Sequence, residues 1–280
     1  MVEENQEPVR GDHQWPRSWL ATLRHVYANP AYMFASRWAH ETGGPGKGQY
    51  GVFEDAFIKK ALGDENALND VMNVTLALLP DGFHQRLADR FVPECLDLST
   101  AVDATHDYPL RYRYAETGGD VTQPDHLHVG PGGMLGIELK VRAKSSVKQL
   151  LHYAVLAICE ERLHQQESQH LLIILSPRDS LRKAMDVQIG DAQEARVAML
   201  AGVDDYLAAS SLRRKFVTAK ELSGVIPRMT IAHLGYAEFV ATMRAEEDGS
   251  SGPAVSTLRR LIDGAEAEFR RHAAVARCTM

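Results

Sequence analysis

Gln123-Pro124-Asp125-His126-Leu127-His128-Val129-Gly130-Pro131-Gly132-Gly133-Met134-Leu135-Gly136-Ile137-Glu138-Leu139-Lys140-Val141 holds two apolar-rich segments joined by a run of glycine and proline. Aliphatic segments bounded by Gly and Pro read as strands, and the glycine-rich join predicts an antiparallel hairpin with strands at 125–129 and 134–142. Side chains of a strand alternate between two faces. Glu138 and Lys140 therefore share one face, while Ile137, Leu139 and Val141 share the other. Glu138 and Lys140 are the charged exceptions in an apolar segment. Charge embedded in a buried strand is costly unless it is paired or holds a metal. The hairpin folds Asp125 back beside that charged face, so two carboxylates and one ammonium are expected to converge.

The flanking sequence frames the hairpin. Residues 147–166 have the spacing of an amphipathic helix, and Leu171-Leu172-Ile173-Ile174-Leu175 is the continuous apolar run of a buried central strand, stopped by Pro177. Upstream, residues 108–116 alternate and predict a strand. Helices are expected from Tyr50, with Phe53, Phe57, Ile58 and Leu62 as the apolar face, and over 67–79. The order from 50 to 176 then reads helix, strand, strand, strand, helix, strand. Downstream, a helix over 191–209, a strand over 229–239 and a helix over 254–272 are expected, with a polar linker at 246–253. Residues 1–16 read as a loose polar arm, 17–42 as helical, and 43–48 as a flexible glycine-rich loop. Three regions follow: an arm and helical extension (1–48), a core (49–180), and a C-terminal α/β extension packed on that core (181–280). The predicted fold class is α/β, a mixed central sheet flanked by helices.

Composition narrows the function classes. Of the 280 residues 45% are hydrophobic and 24% charged, which excludes global disorder. The net charge of −6 means that any polyanion must be met by a local basic patch. Cys95, Cys159 and Cys278 are scattered and form no CxxC pair, which argues against a disulfide framework and fits a reducing cytoplasm. The polar N-terminus does not read as a signal peptide, and no run approaches the ~18 apolar residues of a membrane helix.

Two carboxylates and a lysine have a coherent chemistry. Phosphodiester hydrolysis develops negative charge on the attacking and leaving oxygens. Carboxylate oxygens suit Mg²⁺, which polarises phosphate and activates water. A neighbouring lysine can orient or deprotonate that water. The series Pro124-Asp125, Glu138-x-Lys140, then helix and apolar strand, resembles the core of the PD-(D/E)XK, or restriction-endonuclease-like, nucleases. Glu54 matches an acidic residue that many members carry in the helix before the first core strand. Gln149-Leu150-Leu151-His152-Tyr153 resembles the QxxxY motif of the RecB-like and lambda-exonuclease-like branches. The resemblance spans about residues 50–176. It implies an αβββαβ core, with Asp125 and Glu138 as metal ligands, the Leu139 carbonyl as a third and Glu54 as an aid, direct or through water. It implies Lys140 as the residue that handles water, Mg²⁺ or Mn²⁺ as cofactor, and nucleic acid as partner, DNA before RNA. Gln149 and Tyr153 are expected to act on the substrate rather than on the core.

Other signals carry less. His126 and His128 alternate on one strand as two zinc ligands could, but no third ligand stands at a recognisable spacing, so they read as polar strand residues. The loop around Gly46-Lys47 lacks the spacing of a phosphate-binding loop. Arg142, Lys144 and Lys148, with Arg111 and Arg113 on the expected neighbouring strand, make either a phosphate-binding patch or a solvated face. A non-catalytic role as a nucleic-acid-binding or assembly module remains the rival reading, since fold does not fix function. A homo-oligomer or a partner protein stays open, and no membrane partner is expected.

Overall fold

A computed structural model of the chain describes residues 65–80, 82–105, 108–112, 123–248 and 253–277. The expected helix from Tyr50, and with it Glu54, lies outside the described residues, as do the 43–48 loop and Arg113. The described chain begins with helix α1 (Glu65–Ala77) and α2 (Phe83–Asp89), followed by the short strand β1 (Val102–Asp103) and a single helical turn, α3 (Tyr108–Arg111). The hairpin is β2 (His126–Gly130) and β3 (Gly133–Leu139), then α4 (Val147–His164) and β4 (Gln169–Ser176). Five helices follow: α5 (Leu181–Ala184), α6 (Ala192–Ala201), α7 (Val203–Ala208), α8 (Ser211–Phe216) and α9 (Ala219–Val225). Strand β5 (Met229–Gly235) and helices α10 (Tyr236–Asp248) and α11 (Pro253–Arg277) complete it.

The five strands form one mixed sheet in the order β1-β2-β3-β4-β5. β1, β2 and β3 are antiparallel, while β3, β4 and β5 run parallel. The fold is therefore α/β with a mixed central sheet flanked by helices, as the sequence predicts. The hairpin closes at Gly130↔Gly133, so Pro131-Gly132 is a two-residue loop. Gly133 has φ 135°, a conformation that side-chain-bearing residues rarely adopt.

Period-two alternation divides the core between the two faces of the sheet. Leu127, Val129, Met134, Leu172, Ile174 and Ile231 pack against α4 and the helices α6–α9. Leu135, Ile137, Leu139, Leu171, Ile173 and Leu175 pack against α1, α2, α10 and α11. β3 is buried along its whole length, which matches its place between two strands and two helical layers.

Three expectations are corrected. The stretch 108–116 is not a strand where it is described: Tyr108–Arg111 is a helical turn, and the edge of the sheet is β1, pairing Val102 with Val129 and Asp103 with His128. Pro109 explains the difference, because its fixed φ and missing N–H suit the first turn of a helix. The helix over 191–209 is divided at Gly202, whose N–H bonds the carbonyls of Ala198 and Met199, each at 3.1 Å. The strand over 229–239 ends at Gly235, where α10 begins.

Candidate active site

Glu138 and Lys140 stand on the α4 side of β3, as the alternation requires, and are 6% and 5% exposed. Lys140 Nζ lies 2.7 Å from Glu138 Oε1. Gln149 Nε2 donates to the same oxygen at 2.9 Å, and the Tyr153 hydroxyl donates to Oε2 at 2.8 Å. Gln149 is aimed by its place in the helix. Ser146 caps α4, and in the capping box the Gln149 carbonyl oxygen accepts the Ser146 N–H at 3.1 Å. That contact fixes the amide, so its NH₂ end faces Glu138. One side chain thus starts the helix and holds the carboxylate.

Lys140 is held from both sides. Its N–H donates to the Leu175 carbonyl at 2.8 Å, and its own carbonyl accepts the Tyr236 hydroxyl at 2.7 Å. The loop that follows is fastened by Arg178, which donates to the carbonyls of Arg142 at 2.7 Å and Ala143 at 3.1 Å.

Asp125 precedes β2. The last pair of the β2–β3 ladder is His126↔Ile137, so one further step of the register sets Asp125 opposite Glu138. The Leu139 N–H, lying beyond that ladder, donates to Asp125 Oδ2 at 2.8 Å, and Asn69 Nδ2 donates to Oδ1 at 3.2 Å. Asn73, one turn along α1, donates to the Asp125 backbone carbonyl at 2.8 Å. Sequence reading missed both asparagines. Two poor helix formers spaced i, i+4 on one face of a helix were the available signal.

The Tyr153 hydroxyl bonds Glu138 and lies within the field of Asp125. Burial pushes the Tyr153 pKa well above its ordinary value, and the charges of Glu138 and Asp125 push it further, while a hydrogen bond from the Asp125 backbone works the other way. Tyr153 therefore remains a protonated donor. It is 1% exposed, which corrects the expectation that it reaches substrate: its hydroxyl serves Glu138 from within the core. Gln149 is half-buried and also bonds Glu138.

The donor set fits a hard divalent cation. The carboxylates of Asp125 and Glu138 are the oxygen ligands such an ion takes, and an ion at Glu138 Oε1 would compete with Lys140 and Gln149, which both donate to that oxygen. The Leu139 carbonyl belongs to the residue whose N–H already binds Asp125. Exposed Arg142, Lys144 and Lys148 lie in the loop and first helical turn after Lys140. Arg111 does not join them: it sits on α3 and donates from Nε to the buried Glu160 at 3.0 Å, beside the Tyr112 hydroxyl, which donates to Glu160 at 2.7 Å. On the opposite face of the sheet, His126 and His128 have a neighbour that the sequence did not reveal, His84 of α2.

Comparison of the chain with protein-family models, with curated proteins and with solved structures finds no match. Among the described residues, no helix is long and apolar enough to cross a membrane.

Proposed function

We propose that the chain is a metal-dependent nuclease that hydrolyses nucleic-acid phosphodiesters, DNA by preference, in the manner of the PD-(D/E)XK nucleases it resembles. The observation that carries this reading is the buried Glu138. It sits two residues along the strand from its lysine partner, is bonded by Gln149 and Tyr153, and lies opposite Asp125 in the register. Such a buried pair is a weak source of stability, because replacing it with apolar residues is often neutral or stabilising, and this supports a chemical role for it.

Asp125 and Glu138, with the Leu139 carbonyl, would hold Mg²⁺ or Mn²⁺, and the bound ion supplies Lewis-acid polarisation of phosphate and a more acidic water. Lys140 is placed to orient the attacking water and to stabilise charge developing on the phosphate. Gln149, Tyr153, Asn69 and the Leu139 N–H keep the carboxylate oxygens in position. Arg142, Lys144 and Lys148 supply phosphate contacts that are independent of sequence.

The test is the purified chain on circular DNA, linear DNA and RNA, each with Mg²⁺, Mn²⁺ or EDTA, beside Glu138→Gln and Asp125→Asn. Cleavage that needs the ion and is lost in both variants is expected. Cleavage in EDTA or by either variant overturns the reading, and so does a wild-type protein that cleaves nothing and binds no Mg²⁺.

A further inference from the structure

We propose that His84, His126 and His128 form a second metal site, for a borderline transition ion such as Zn²⁺, on the face of the sheet turned away from Glu138 and Lys140.

The sheet register places two of the ligands. His126 pairs with Ile137 and His128 with Leu135, and both of those partners belong to the core layer beneath α1 and α2. Glu138 and Lys140 point to the other side. His84, the second residue of α2, comes down over the two strand histidines, with the fully buried Phe83 before it as anchor.

The three rings form a stack. His84 lies 4.0 Å from His128 and 5.1 Å from His126, centroid to centroid, with interplanar angles of 8° and 11°. One ring nitrogen from each residue lies within 4.8 Å of the others. His84 Nε2 and His126 Nε2 are 3.1 Å apart and share a hydrogen bond, which a bound ion would replace. Two nitrogens of a tetrahedral zinc ion, each ~2.0–2.1 Å from it, stand about 3.3 Å apart, so this pair is already near ligand spacing.

The surroundings fix the form of His126. The Asn73 NH₂ group faces two acceptors, the Asp125 carbonyl at 2.8 Å and Asn69 Oδ1 at 3.2 Å. Its amide oxygen must then be the atom 2.8 Å from His126 Nδ1. Nδ1 therefore carries the proton, and the lone pair sits on Nε2, the nitrogen turned toward His84. An imidazole whose far N–H is held by a carbonyl oxygen is the usual arrangement of a metal-binding histidine. His128 Nδ1 is buried and has no hydrogen-bond partner, a cost that a packed stack of apolar rings would not incur. Asp103, paired with His128 across β1–β2, places a carboxylate beside the cluster without entering it.

Three nitrogens and no thiolate select a borderline ion over Mg²⁺, which prefers oxygen. They leave the fourth position of a tetrahedron to water. Because Asn73 also grips the Asp125 carbonyl, an ion here steadies the turn that carries Asp125.

The deciding experiment uses the metal-stripped full chain titrated with Zn²⁺ and with Co²⁺, alongside His84→Asn, His128→Asn and Glu138→Gln. One tight equivalent is expected, with the visible absorption of four-coordinate Co²⁺. Affinity should fall at least tenfold in each histidine variant and stay at the wild-type level in Glu138→Gln. Should a histidine variant fail to fold, long-range ¹H–¹⁵N spectra of the wild-type imidazoles replace it, with Zn²⁺ expected to shift the Nε2 signal of His126. A Zn²⁺ stoichiometry unaffected by both histidine changes, or no shift of that signal, overturns the proposal. Loss of Zn²⁺ binding in Glu138→Gln would overturn it as well.

Discussion

The ring of Tyr153 lies directly over Gly136: a Cβ at that position would stand 2.7 Å from the ring's Cε1 and 2.8 Å from Cδ1. Glycine in the middle of β3 weakens a strand on its own account. Here its absent side chain lets α4 approach closely enough for the Tyr153 hydroxyl to reach Glu138. Gly136→Ala should therefore act at a distance. Overpacking of this kind costs about 1–3 kcal/mol, and displacing the ring should cut cleavage at least tenfold while Mg²⁺-free unfolding stays cooperative. A variant with full turnover and an unchanged melting temperature contradicts the link from glycine to ring to carboxylate.

Tyr153→Phe removes the hydroxyl and keeps the ring. Glu138 then loses one of its donors inside the core, and hydrogen bonds to buried charged groups are worth about 1.5–3 kcal/mol. For a chain of this size each kcal/mol is about 2–4 °C of melting temperature. A fall of several degrees together with at least tenfold slower cleavage is the expected pair of results. Gln149→Ala should slow cleavage similarly with a smaller thermal effect, near the ~1 kcal/mol of a lost helix cap. If Tyr153→Phe melts as wild type does, the hydroxyl does not bear on Glu138.

Lys140→Met tests the lysine without opening a large cavity. The expected outcome is turnover reduced about a hundredfold to ten-thousandfold, with Mg²⁺ still bound in calorimetry because lysine is not one of its ligands. Breaking a buried pair by removing one partner typically costs about 3–5 kcal/mol, so thermal unfolding must be recorded in parallel. Lost Mg²⁺ binding with intact turnover would reverse the assignment of roles.

Acid sensitivity should trace partly to Glu161, at the end of α4. Arg228 donates to it twice, at 2.9 and 2.7 Å, and His170 Nε2 lies 3.1 Å away. Burial would raise its pKa, but the hydrogen bonds from His170, Arg228 and the Ser168 amide win and hold it at about 2, below the ordinary 4.5. A carboxylate with a depressed folded pKa contributes stability that is present above about 4.5 and is lost as pH falls through about 2. Glu161→Gln should thus be less stable than wild type by about 1–2 kcal/mol at pH 7, and the two urea-unfolding curves should converge as pH drops from 4.5 toward 2. A gap that is constant across that range removes the carboxylate from the account.

The hairpin, α4 and β4 were legible in the sequence because each carries a strong pattern: glycine and proline at 130–133 between the hairpin strands, apolar spacing over 147–166, and an apolar run at 171–175 stopped by proline at 177. The shared face of Glu138 and Lys140 follows from strand geometry alone. What the α4 face would meet did not follow. From Leu150 to Glu160 the helix is buried almost all round, enclosed between the sheet and α6–α9, so Tyr153 had no solvent side on which to receive a substrate, while Gln149, one turn earlier, is half-buried. The histidine cluster was illegible for another reason: 42 residues separate His84 from His126, and only the packing of α2 on β2 joins them. Asn69 and Asn73 escaped notice because an amide is chemically silent until something near it needs a hydrogen bond.

β4 has one further property. It pairs with β3 on one edge and, through His170↔Met229 to Ser176↔Gly235, with β5 on the other. As the chain leaves the ribosome, the most apolar of the described strands is complete at Ser176 but keeps a bare edge until Gly235 has emerged. For that interval it is an open template for pairing with another chain. A fragment that stops after β4 would keep every proposed carboxylate and lysine, and would be prone to aggregate before it could be assayed.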